Sequence, residues 1–148
     1  MSNKPCILLA SSPEAKIPLS NALADTYDLL PCHTQTQAIN ILNERSSDIA
    51  LILCTLRFDD SRMYDFLQYV KTNDQARSKP FVCLTVTRSA LGVQDKQFIN
   101  EALEKLVKGF GGTAFIDYHG WCREYGMEQG NQHLLAYIEK VLSGNKEA

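Results

Sequence analysis

The sequence predicts an α/β fold: a single doubly wound five-stranded parallel sheet in one domain, residues 1–148. Two observations predict it. Five short apolar runs lack the alternation of a half-exposed strand, so each reads as a strand covered on both faces. They alternate with segments whose apolar residues recur at helical spacing, which implies right-handed crossovers between parallel neighbours. The run Asp48–Thr55 (DIALILCT) is the most complete, too short for a well-formed buried helix, and reads as the central strand. Ligand and reaction sites of open parallel sheets lie just outside the carboxyl ends of such strands, so chemistry is expected at Cys54, Thr55 and the loop Leu56–Ser61.

In chain order, Lys4–Ala10 is the first strand. Ser12-Pro13-Glu14 then starts a helix, with Ser12 as cap and Pro13 at a position that needs no donor. That helix carries Ile17, Leu19, Leu23 and Ala24, and Pro18 predicts a kink or a later start. Tyr27–Cys32 is a short second strand whose Pro31 suits a sheet edge. Thr34 or Thr36 caps a helix with Ala38, Ile39, Ile41 and Leu42 on one face. After the central strand, Met63, Phe66, Leu67 and Val70 make a third helix that ends in the polar stretch Thr72–Lys79. Phe81–Val86 is the fourth strand. Gln94–Phe110, with Phe98, Ala102, Leu103, Leu106 and Val107, is an amphipathic helix stopped by Gly109, Gly111 and Gly112. Thr113–Asp117 is the fifth strand, and Leu134, Leu135, Ile138, Val141 and Leu142 form a last helix after an Asn131 cap.

Composition narrows the function classes. Apolar residues make up 45% and charged residues 22% of the 148, near the average for globular domains, which argues against disorder and against a membrane protein. Fifteen Lys and Arg against 17 Asp and Glu leave a net charge of −2 with no basic block, so direct nucleic-acid binding is not expected. The amino-terminal apolar run, Cys6–Ala10, is too short for a signal peptide or a membrane span. A cytoplasmic, free-standing chain is the expectation. The five cysteines, Cys6, Cys32, Cys54, Cys83 and Cys122, are odd in number and form no CxxC pair, and Cys6, Cys54 and Cys83 lie in apolar runs. Buried free thiols follow.

Five βα units of this size, with Pro13 after the first strand, Thr85 ending the fourth and Phe115 in the fifth, resemble the receiver domain of bacterial two-component response regulators. The resemblance implies a flavodoxin-like sheet of order 2-1-3-4-5. It also implies a phosphorylation site: an acid pair after the first strand, an acceptor aspartate ending the third, a hydroxyl ending the fourth and a lysine ending the fifth. The acids hold Mg²⁺, the aspartate attacks the phosphoryl group, and the hydroxyl and ammonium engage its oxygens. Here the acid pair falls on Ala10 and Ser11, the acceptor on Cys54 and the lysine on Tyr118, or on Asp117 in the neighbouring register; only Thr85 matches. Loss of several cooperating groups predicts a pseudo-receiver of two-component, phosphorelay signalling that acts by protein–protein interaction, without aspartyl phosphorylation of its own. The expectation is no enzyme, no cofactor and no metal, with a signalling protein as partner or a second copy bound through the fourth and fifth βα units. The alternative is a small-molecule or thiol-redox sensor using the vacated pocket of Ala10, Ser11, Cys54, Thr85 and Tyr118.

Other residues carry weaker signals. Cys54 could be a reactive thiol if a cation such as Arg57 lowered its pKa, but an inert packed thiol is the more economical reading. Asp59 and Asp60 could reach a metal or stand in for the missing acceptor; in a polar loop they read first as a solvated turn and helix cap. Asp117, His119 and Cys122 lack a fourth ligand at zinc spacing, and His33 and His133 are isolated. Gly109-Phe110-Gly111-Gly112 precedes a strand, as a helix-terminating turn does, and not a helix, as a phosphate loop does. Tyr118–Gly130 (YHGWCREYGMEQG) reads as an insertion relative to the receiver pattern. Its Trp121 and Tyr125, together with Phe115, are candidate partner or lid contacts; alternatively Trp121 folds back over the pocket mouth or core.

Overall fold

The structure, a computed structural model, describes residues 4–86 and 93–144, and for 93–99 the backbone alone, so the side chain of Phe98 lies outside the described residues. Strands β1 (Cys6–Ala10), β2 (Asp28–Cys32), β3 (Ile49–Thr55), β4 (Phe81–Leu84) and β5 (Ala114–Ile116) form one parallel sheet in the order β2-β1-β3-β4-β5. This is the flavodoxin-like order. The helices are α1 (Pro13–Leu23), α2 (Gln35–Arg45), the single turn α3 (Phe58–Ser61), α4 (Met63–Thr72), α5 (Val93–Gly109), α6 (Tyr118–Tyr125) and α7 (Met127–Gly144). Among the described residues, no helix is long and apolar enough to cross a membrane.

Strand pleating divides the core in two. On one face Leu8, Ile52 and Phe81 pack with Leu42 of α2, Phe66 and Val70 of α4 and Val107 of α5. On the other, Leu9, Leu53 and Leu84 pack with Leu19 of α1 and with Leu134 and Ile138 of α7. Both faces of β1, β3 and β4 are therefore buried, which is the physical reason their sequences read as unbroken apolar runs. Each fully buried Leu or Ile in them contributes about 1.5–3 kcal/mol.

β2 is an edge strand, and its register explains Pro31. Asp28 N donates to Pro5 O and Cys32 O accepts from Ser11 N, so alternate residues 28, 30 and 32 face β1. Leu29 and Pro31 turn their backbone groups outward, and Pro31 has no N–H to offer there. The proline thus costs no ladder bond and removes a donor from the open edge.

α1 departs from expectation in its buried face. Ala15, Leu19, Ala22 and Leu23 are buried, spaced at i, i+4, i+7 and i+8, whereas Ile17 is 70% exposed on the opposite side and Ala24 is the exposed residue after the helix. Pro18 lies inside the continuous helix, where it forgoes the bond to the Glu14 carbonyl. Ser12 starts the helix without a side-chain cap bond, while Thr34 does cap α2, accepting from Gln37 N at 3.2 Å. α5 ends as the glycines predict: Gly111, at φ +93°, donates to Lys108 O, and Gly112 donates to Val107 O, the paired bonds of a Schellman turn.

The segment after β5 is more regular than its sequence suggests. Tyr118–Tyr125 is helical, Gly126 at φ +89° breaks the chain direction, and α7 begins at Met127, ahead of the expected Asn131 cap. Asn131 instead accepts a hydrogen bond from the Tyr118 hydroxyl.

Candidate functional site

The carboxyl ends of the strands bring Ala10, Cys54 and Cys83 into one lateral row with Cys32 and Phe115, all in direct register. The row faces α2, α4 and α5 and belongs to the core. Cys54 has no solvent exposure, and burial, followed by the neighbouring thiols of Cys83 and Cys32, pushes its thiol well above the usual range. Burial raises Cys83 as well and takes Cys32 to about 12. A nucleophilic cysteine must be ionised and reachable, and Cys54 is neither. All five cysteines are free; only Cys122 is partly exposed.

The next residues build the rim. Ser12 N donates to Thr55 Oγ1 at 3.1 Å, tying the start of α1 to the end of β3. Ser11 is fully buried and its hydroxyl has no partner; its carbonyl accepts from His33 Nδ1 at 2.8 Å, which fixes the proton on that nitrogen. Ser12, Thr55, Leu56, Arg57, Thr85 and Val86 enclose a cavity of about 20 Å³, room for one or two waters.

Asp117 is the polar centre of this end of the sheet. Its Oδ1 accepts from Thr85 Oγ1 at 2.8 Å and from Gly120 N at 3.0 Å, and its Oδ2 accepts from Asn100 Nδ2 at 2.9 Å. One carboxylate therefore joins β4, α5 and the first turn of α6, which it caps. The proton of the Thr85 hydroxyl is committed to Asp117 and is not free for an anion at the rim. Sequence reasoning weighed Asp117 as a zinc ligand or a displaced lysine position; the overlooked signal was its spacing to Gly120 at the start of a helix. Among the described residues no group of three or more His, Cys, Asp or Glu side chains is arranged to hold a metal ion.

The remaining candidates separate. Tyr118 does not reach the rim: it is 2% exposed in the α1/α7 core, and burial raises its phenol pKa. Phe115 is 6% exposed and packs in the opposite core. Trp121 folds back against the α1/α7 core, its ring 5.7 Å from His133 and 6.3 Å from Tyr137. Tyr125, 4.7 Å from His133, and Met127 stay exposed.

The loop after β3 holds the least expected geometry. Asp59, Asp60 and Ser61 have φ of 47°, 58° and 67°, three consecutive non-glycine residues in the left-handed region. Each such residue costs about 1–2 kcal/mol, so the run stores a few kcal/mol. Phe58, fully buried, anchors it, and Asp59 Oδ2 accepts from Gln35 N at 2.8 Å. Asp59 thus accepts from the first amide of α2, whose cap is Thr34, and not from the helix that follows it in sequence.

No family model matches the chain, and no curated protein sequence matches it. Solved structures do. The signal receiver domain of an HD domain-containing protein from Pseudomonas fluorescens superimposes with a TM-score of 0.68 at 18% identity, over 99% of this chain and 100% of that one. The phosphorylated cyanobacterial phytochrome response regulator RcpA gives 0.68 at 18%, over 95% and 96%. The chemotaxis response regulator CheY4 of Vibrio cholerae gives 0.64 at 14%, over 90% and 98%. The fold of this chain is that of response-regulator receiver domains.

Proposed function

We propose that this chain is a receiver-fold signalling module that acts by protein–protein recognition and does not accept a phosphoryl group on aspartate. The observation that carries the reading is Cys54: the last residue but one of the central strand is an unexposed thiol, flanked by Ala10 and Cys83, where a phospho-acceptor has to be ionised and open. Asp117, holding the Thr85 hydroxyl, supports it. In this reading the protein is not an enzyme, needs no cofactor or metal, and meets its partner in the cytoplasm. A thiol-redox sensor at the same rim is disfavoured by the burial of Cys54. The test is intact mass after incubation with acetyl phosphate, with and without Mg²⁺. No mass gain is expected. A stoichiometric Mg²⁺-dependent adduct, mapped to Asp59 or Asp60, would overturn the reading.

Self-association through the fourth and fifth βα units, with α5 supplying the exposed face, belongs to the same proposal. The exposed Leu106 of α5 and Phe110 just after it, with Glu101, Glu104, Lys105 and Lys108, offer apolar area and both signs of charge, which a self-complementary interface can use. Sedimentation equilibrium is expected to reveal a dimer that weakens in the Leu106→Glu variant; a monomer at every concentration removes this part.

A further inference from the structure

We propose that the turn Phe58–Ser61 is a two-state latch in which Asp59 chooses between the amino termini of two helices. In the state described, Asp59 Oδ2 accepts from Gln35 N, and the turn is held left-handed at Asp59, Asp60 and Ser61. α2 does not depend on this contact. It already has Thr34 as its cap, bonded to Gln37 N, while Gln37 Oε1 accepts from His33 N at 2.9 Å. α4 has no such cap: Arg62 occupies that position and makes no side-chain cap bond. Asp is among the best N-cap residues, and Asp59-Asp60-Ser61-Arg62 runs directly into α4. With Asp60 and Ser61 in the right-handed region, α4 would lengthen by a turn with Asp59 as its own cap, and the left-handed strain would be released. The local sequence thus favours one state and a contact 24 residues away holds the other. Asp59 is the positioning residue, and anything that competes for the Gln35 amide or for Asp59 shifts the balance.

The exposed Arg57 and Arg62 flank the turn, so trypsin reads its state in the intact chain, against the exposed Arg45, Arg77 and Arg123. Asp59→Ala, which frees the turn from Gln35, is expected to speed cleavage at Arg57 by about tenfold, while Arg62, taken into the first turn of the lengthened α4, is cut no faster than in wild type and the other three sites are unchanged. Asp59→Asn, which keeps an acceptor oxygen while losing the charge, is expected to stay within about twofold of wild type. Equal rates at Arg57 in Asp59→Ala and wild type, acceleration at Arg62 to the same extent as at Arg57, or acceleration at all five of these arginines together, would overturn the proposal. Wild-type amide exchange is a second measurement that needs no substitution. The Gln35 amide is expected to exchange with those of residues 59–62, about tenfold faster than those of Phe66–Val70. Exchange of Gln35 at the rate of α4 overturns the latch.

Discussion

Cys54→Asp, the substitution that returns an acid to the end of the central strand, is expected to cripple folding and to gain no phosphorylation. Cys54 has no exposure and sits between Ala10 and Cys83 with the α2/α4/α5 core above it. A carboxylate there has neither water nor a cation. It escapes ionisation by keeping its proton, which at pH 7 costs about 4 kcal/mol relative to an ordinary aspartate, and at pH 4.5 about 1 kcal/mol. The sign follows from proton counts. The folded state binds the proton more tightly than the unfolded state, so stability falls as pH rises from about 4 towards neutrality. Thermal melts of the variant are expected to lie about 10 °C or more below wild type at pH 7 and to recover most of that gap at pH 4.5. A variant as stable as wild type at pH 7 would mean that the row is open to water, and the argument for a silent acceptor position would fail with it.

Much of the fold was legible because burial leaves a signature in short windows. β1, β3 and β4 are covered on both sides and read as continuous apolar runs, and Pro31 marked the edge because only an edge position tolerates a missing donor. α1 was misread at Ile17, because an isolated apolar residue carries no sign of which way its helix turns; the phase is set by Ala15, Leu19, Ala22 and Leu23 together. The site was less legible, since its decisive contacts join residues far apart in sequence. Thr85 and Asp117 are 32 residues apart, Ser12 and Thr55 are 43 apart, and Asp59 meets Gln35 across 24. No local pattern reports such pairings. Left-handed backbone at Asp59, Asp60 and Ser61 is held against local preference, so a sequence window necessarily points to the other conformation.

Gly130→Val is expected to have the second large effect, and it separates α6 from the rest of the fold. Gly130 reads in sequence as loop punctuation, but it lies inside α7 where α6 crosses it. A Cβ there would stand 2.6 Å from Cys122 Sγ, 3.0 Å from Cys122 Cα and 3.1 Å from Cys122 N. A thiol can rotate aside; the backbone of α6 cannot without moving the helix. The cost is therefore at the upper end for overpacking, about 3 kcal/mol, with Gly130→Ala somewhat milder. Lifting α6 also breaks the Tyr118–Asn131 hydrogen bond and draws Trp121 away from His133 and Tyr137. Trp121 is the sole tryptophan, so its fluorescence reports this step alone. A red-shifted emission is expected in Gly130→Val at temperatures where the far-ultraviolet signal of the sheet and the other helices persists. Emission and melting temperature both unchanged would mean that α6 does not rest on Gly130. Loss of all signals in one transition would instead make α6 part of the same cooperative unit as the sheet, anchored by the Asp117 carboxylate that joins it to Thr85.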